Sequence, residues 1–112
     1  MEDKTEITPI QGAKYDGDKP KLSTVPPGII YAIEKTRAYG LKKYAEAEAW
    51  KTIDPERWHE ALLRHVLRIW NDPMAIDPES GLPHLYHIAT NTAFLIESLR
   101  LTPNELETKK GE

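Results

Sequence analysis

Asp77-Pro78-Glu79-Ser80-Gly81-Leu82-Pro83-His84-Leu85-Tyr86-His87-Ile88-Ala89-Thr90-Asn91 reads as a turn that launches a helix. Asp77 before Pro78 has the pattern of an N-cap followed by a first-turn proline. Gly81 permits a tight bend, and Pro83 can open a helix because a first-turn residue needs no N–H partner. The spacing predicts a helix from Pro83 to about Leu99. At about 100° per residue, His84 and Asn91 lie roughly 20° apart and His87 roughly 60° to one side. Leu85, Ile88, Thr92, Leu95 and Leu99 form a neighbouring apolar stripe. Three side chains bearing nitrogen or oxygen therefore line the edge of a buried face, which is where a helical bundle places a ligand or metal site. The plainer alternative is one histidine satisfied in the core and one exposed.

Two further helices precede this one. Asp54-Pro55-Glu56 combines an N-cap, a first-position proline and an acid in the first turn, and Asn71-Asp72-Pro73 ends the helix after about Trp70. Trp58, Ala61, Leu62, His65 and Ile69 share one face, and Arg57, Glu60, Arg64 and Arg68 take the other. Glu60 and His65 are about 140° apart, so one straight helix cannot bring both to one site. An imidazole central to an apolar face needs a partner, whereas Glu60 and Arg64 are spaced for a surface pair, so His65 is the better site candidate. Arg64 borders the seam, within reach of an anionic ligand. The earliest helix follows Val25-Pro26-Pro27-Gly28, with Ile29, Ile30, Ile33, Thr36 and Tyr39 at helical spacing and Gly40 as a C-cap or kink. Lys42, Lys43 and Tyr44, with Trp50 soon after, form a set suited to phosphates and a stacked base, or simply lysines complementing a helix C-terminus. Lys14, Lys19 and Lys21 crowd a loop around the Asp16-Gly17 turn, either solvated or as a flap that meets phosphates.

The expectation is an all-α chain: three main helices in a small bundle, with a loose N-terminal arm over residues 1–13, one helical domain over 14–102 and a charged tail over 103–112. No strand candidate competes. The chain has 112 residues, and three helices give it a thin core, so oligomerisation into a homo-oligomer is expected to complete it. Lys plus Arg number 15 and Asp plus Glu 18, so bulk nucleic-acid binding driven by phosphates is disfavoured. The absence of cysteine removes disulfides, thiolate zinc sites and a cysteine nucleophile. No membrane span or leader is visible, and a cytoplasmic protein is expected.

Glu79, His65, His84 and His87 are the candidate metal set, of which Glu79, His84 and His87 are also the candidate catalytic groups. Imidazole-rich sets suit zinc, cobalt, nickel, iron or manganese better than magnesium. Protonated histidines with Arg64 would instead hold phosphates directly. Lys14, Lys19, Lys42, Lys43, Tyr44, Trp50, Arg64 and Asn91 are the candidate ligand-binding residues.

Four pieces in order carry a family resemblance: Lys14-Tyr15-Asp16-x-x-Lys19-Pro20 leading to Val25-Pro26-Pro27; Tyr39-Gly40-x-Lys42-Lys43-Tyr44 leading to Trp50; Ala61-Leu62-x-Arg64-His65; and Asp77-x-Glu79-Ser80-Gly81-Leu82-x-His84-x-x-His87. Together they resemble the phage-encoded N-terminal domain family of dATP/dGTP diphosphohydrolases. The resemblance implies a bacteriophage origin, the cytoplasm of an infected bacterium as location, and a fold similar to the MazG-like all-α nucleotide pyrophosphohydrolases. Those enzymes cleave a nucleoside triphosphate to the monophosphate and pyrophosphate with a divalent metal. The resemblance thus implies a nucleotide ligand and magnesium, manganese or cobalt. Family members from phages that alter their DNA bases are linked to removing dATP or supplying dGMP. MazG-like enzymes hold magnesium with acidic ExxE and ExxD pairs; at those places this chain shows Arg64-His65 and His84-x-x-His87. A non-catalytic reading, in which the protein sequesters a nucleotide or a host immune nucleotide signal, therefore stands beside the enzymatic one.

Overall fold

The computed structural model describes residues 17, 19–44 and 46–101. Lys14, the expected arm over 1–13 and the expected tail over 103–112 lie outside them. Three α-helices carry the fold: α1 (Pro27–Tyr44), α2 (Pro55–Arg68) and α3 (His84–Ser98). Short 3-10 turns at Leu22–Thr24 and Ala49–Thr52 precede α1 and α2. Among the described residues β-pairing is limited to one isolated bridge, Ile76 to Pro83.

Each helix start follows from local chemistry. Asp54 caps α2: its side chain accepts from the Glu56 amide at 3.0 Å, and Pro55 occupies the first position. α3 begins one residue later than expected, with Pro83 as N-cap. Pro83 offers no side-chain acceptor, so the backbone supplies one: the His84 amide donates to the Ala75 carbonyl at 3.0 Å. Gly40 neither caps nor ends α1, which continues through it to Tyr44. At the far end of α3, Leu101 N–H reaches the Ile96 carbonyl and Arg100 N–H that of Glu97, with Arg100 in the left-handed region at φ 57°.

The central element is α3. Both α2 and α1 pack on it. α2 runs antiparallel to α3, so Trp58 meets Phe94 while His65 meets His84 and His87. α1 touches the same helix through Arg37 on Phe94, Tyr39 on His87 and Tyr31 on Tyr86. The face of α3 turned toward its neighbours is polar: His84, His87, Thr90 and Asn91 are its buried residues. This corrects the expected apolar stripe, because Leu85 and Leu99 are about half exposed, Thr92 is exposed, and only Ile88 and Leu95 are half-buried. The polar face can be buried because partners meet it: the Thr90 hydroxyl donates to the Tyr86 carbonyl at 3.0 Å, and side chains from other segments meet both histidines; a buried polar group costs little once it is hydrogen-bonded. Ala32 and Thr36 are the buried residues of α1, and the apolar core is thin.

Candidate functional site

The turn over residues 77–83 is organised by Asp77. Its Oδ2 accepts from the Ser80 amide at 3.2 Å and from the Ser80 hydroxyl at 2.9 Å, while Oδ1 takes the Glu79 amide at 3.4 Å. An aspartate that binds amides two and three residues ahead forms an Asx-type turn. Its backbone closes the same loop: Asp77 N–H donates to the Leu82 carbonyl at 2.8 Å and Gly81 N–H to the Asp77 carbonyl at 2.7 Å. Gly81 sits at φ 76°, where a side chain would be strained. Asp77 thus organises a turn rather than capping a helix at Pro78. Burial alone would raise its carboxyl, but the Ser80 hydroxyl, the two amides and His87 outweigh that and hold it below the ordinary range.

This turn delivers Ser80 to α3. Ser80 Oγ lies 2.7 Å from His87 Nε2 and also accepts the Leu82 amide at 3.2 Å. Asp77 Oδ2 is 3.4 Å from the same His87 nitrogen. On the other side, the His65 ring of α2 stacks parallel on His87, with centroids 4.5 Å apart at 6°. His65 Nδ1 and His84 Nδ1 are 2.8 Å apart, close enough to share one proton. Burial first, and then the His87 and His84 rings, push His65 down to about 4. Burial also lowers His87, against an opposing pull from Asp77. His65 and His87 are therefore neutral imidazoles near pH 7, able to offer lone pairs.

Glu79 is turned toward α1 rather than joined to the rings. Its Oε2 accepts from Lys43 Nζ at 2.8 Å, and Lys43 together with the Tyr39 hydroxyl holds the carboxyl below its usual range. Burial, then Glu79, raises the Tyr39 hydroxyl, and the Tyr39 ring meets His87 edge-on at 6.1 Å. The expected metal set is thus divided: His65, His84 and His87 converge at the α2–α3 seam, and Glu79 is engaged by Lys43. Among the described residues no group of three His, Asp or Glu side chains could hold a metal ion. As arranged, these donors do not fit a resident three-ligand metal.

The expected ligand-binding residues separate into three places. Asn91 is buried on the histidine face of α3. Lys43 stands beside the turn, its ammonium 5.4 Å from the Tyr44 ring centroid, while Lys42, Arg64 and Lys19 are exposed. Trp50 is at the opposite end of α3, stacked on Phe94 at 5.1 Å. Phe94 also receives Trp58 at 4.5 Å and the Arg37 guanidinium at 5.3 Å. Beside Trp50 a hollow of about 310 Å³ is lined by Lys51, Ile53, Pro55, Glu97 and Ser98. Ser98 lies eleven residues beyond His87, about 16 Å along the helix, so this hollow is well removed from the imidazoles. Tyr39, Asp77 and Ser80 belong to the site but were not among the residues expected there. The Asp77-x-x-Ser80 spacing was the available sign, because aspartate and serine three apart ahead of a glycine favour such a turn.

An all-α domain with an imidazole cluster between two antiparallel helices, and a lysine–glutamate pair beside it, is the class that fold and site define. The chain belongs to the family described as dATP/dGTP diphosphohydrolase, N-terminal, whose model matches residues 9–108. It is 34% identical over 94 residues to a dATP/dGTP diphosphohydrolase of Salmonella phage PMBT28; the match covers 82% of this chain and 31% of that relative. The chain therefore spans about a third of the length of the relative it matches. No solved structure matches it.

Proposed function

We propose that this chain binds a deoxypurine nucleoside triphosphate at the histidine cluster and takes part in its hydrolysis to the monophosphate and pyrophosphate. The observation that carries the reading is the meeting of His65, His84 and His87 at the α2–α3 seam, in a chain of the dATP/dGTP diphosphohydrolase family. In this reading the divalent cation, magnesium, manganese or cobalt, arrives on the triphosphate as part of the substrate, since magnesium is commonly held by substrate phosphates with few protein ligands. Lys43 and Arg64 supply positive charge to the phosphates, with Lys42 and Lys19 as further cations. Asn91 offers a hydrogen-bonding edge on the same helix face. The imidazoles accept a proton from the attacking water or bind the departing phosphate. A bacteriophage source and the interior of an infected bacterium follow from the same reading, as does a second copy of the chain covering Leu85, Ile96 and Leu99.

A second reading is favoured by the engagement of Glu79 with Lys43, which leaves that carboxylate unavailable to a phosphate-bound metal. In it the protein holds a nucleotide, including one made as a host immune signal, without cleaving it. One experiment separates the two. Purified protein is incubated with a panel of ribo- and deoxynucleoside triphosphates and each of the three metals, and the nucleotides are resolved by chromatography. Monophosphate with pyrophosphate supports hydrolysis. Unchanged nucleotide that stays with the protein through gel filtration supports sequestration, and unchanged nucleotide that does not bind removes both.

A further inference from the structure

Ser80 Oγ carries one proton and has three neighbours. Leu82 N–H is a donor, so Ser80 accepts there. Asp77 Oδ2, 2.9 Å away, belongs to a carboxylate already taking the Ser80 and Glu79 amides, and it has no proton to give. The serine proton therefore goes to Asp77. His87 Nε2, at 2.7 Å from Ser80 Oγ and 3.4 Å from Asp77 Oδ2, then faces only acceptor lone pairs. A ring nitrogen so placed must carry hydrogen, because the opposite tautomer would set a nitrogen lone pair against both oxygens.

We propose that Asp77 and Ser80 are positioning residues that lock His87 as the Nε2–H tautomer and so make Nδ1 its working nitrogen. Among the described residues no hydrogen bond engages that Nδ1. It keeps its ring orientation because His65 stacks on one face of the imidazole and the Tyr39 ring meets it edge-on. The lock itself is a property of the resting protein. Its role in turnover rests on the hydrolysis proposed above, where the Nδ1 lone pair accepts one proton from the water whose oxygen bonds to phosphorus, while the bond from that phosphorus to the pyrophosphate oxygen breaks and its electron pair leaves with pyrophosphate. Asp77 and Ser80 touch none of the reacting atoms; they decide which nitrogen of His87 is available.

Long-range nitrogen–proton correlation spectra of ¹⁵N-labelled protein, above the histidine titration range, read the tautomer directly. His87 is expected to show a protonated Nε2 and a bare Nδ1. Asp77→Ala removes the acceptor of the serine proton, which can then turn to His87, and is expected to admit the Nδ1–H form. A wild-type His87 protonated on Nδ1 overturns the proposal. So does an unchanged Nε2–H form in the Asp77→Ala/Ser80→Ala double variant that retains its helical circular dichroism. If the wild type hydrolyses nucleotide, Asp77→Ala should lower kcat about ten- to a hundredfold and leave KM within about twofold, the size usual for loss of such a supporting contact. If the wild type proves inert, the hydrolysis reading fails and the spectra still decide the lock.

Discussion

The two ends of α3 are built on different physics. At its N-terminal end His84 and His87 are held by directional contacts: a shared proton with His65, a hydroxyl from Ser80 and a carboxylate from Asp77. At its other end Phe94 sits among Trp50, Trp58 and Arg37, with contact area and ring faces but no hydrogen bond through Phe94 itself. Aromatic packing tolerates small shifts and supplies burial, whereas hydrogen-bonded rings fix atoms and supply chemistry. The chain thus separates what holds α1 and α2 on α3 from what the site needs, and the two ends should fail differently when altered.

The largest effect is expected at the aromatic end. Phe94→Ala removes the ring shared by two tryptophans and an arginine. Truncating a buried phenylalanine costs about 3–5 kcal/mol, and Phe94 is half-buried, so about 2–3 kcal/mol is expected. Urea denaturation followed by helical circular dichroism measures it, and tryptophan fluorescence should change as Trp50 and Trp58 lose their neighbour. A loss below about 0.5 kcal/mol would mean that the ring cluster is not what joins the helices.

Much of this division could be read from the sequence. The caps at Asp54 and Pro55 depend on neighbours two or three residues away, and they placed α2 correctly. The face bearing Trp58, Leu62, His65 and Ile69 follows from period alone, and the antiparallel packing of α2 on α3 brings His65 to His84 and His87. The inward face of α3 was not legible in the same way. A hydrophobic count favours Leu85, Thr92 and Leu99, whereas His84 and His87 are buried because Ser80, Asp77 and His65 come from elsewhere in the chain to meet that face. Pairing across segments is invisible to period. The same holds for Glu79, whose partner Lys43 lies 36 residues earlier, and for Trp50, which local spacing grouped with Lys42 and Lys43 although it stacks at the far end of α3.

The histidine end should answer to pH instead. Burial holds His65 at about 4 in the folded protein against 6.5 when free. Between those values the unfolded chain binds a proton that the folded chain does not, so stability is complete above pH 6.5 and falls as the pH drops toward 4. His87 is shifted in the same direction and adds to the effect. About 2 kcal/mol of stability should be lost across this window, after allowing for partial solvent screening. His65→Phe keeps a flat ring against His87 and cannot titrate. Its stability near neutrality should fall by about 1 kcal/mol, because His84 Nδ1 loses its partner, but its pH profile should be flatter than that of the wild type. Equal slopes in the two proteins would mean that His65 is not the group that acid attacks, and Phe94→Ala should leave the slope of the wild type unchanged.

The smallest effect on stability belongs to the Lys43–Glu79 pair, although its contact is short and the pair holds the lysine ammonium protonated well above its ordinary range. Both side chains are largely exposed, and ion pairs in water repay little beyond the entropy of holding two long side chains still. Lys43→Ala should therefore leave the urea midpoint where it is. Its consequence is local: Glu79 keeps the Tyr39 hydroxyl, but its negative charge is no longer balanced by an ammonium, near the point where the triphosphate is proposed to bind. Nucleotide retention in gel filtration should fall, and it should fall more steeply at low salt, because added ions screen the uncovered carboxylate. If Lys43→Ala lowers the midpoint while nucleotide binding is untouched, the pair is a clamp between α1 and the turn before α3, and the cation for the phosphates has to be sought at Arg64 or Lys42.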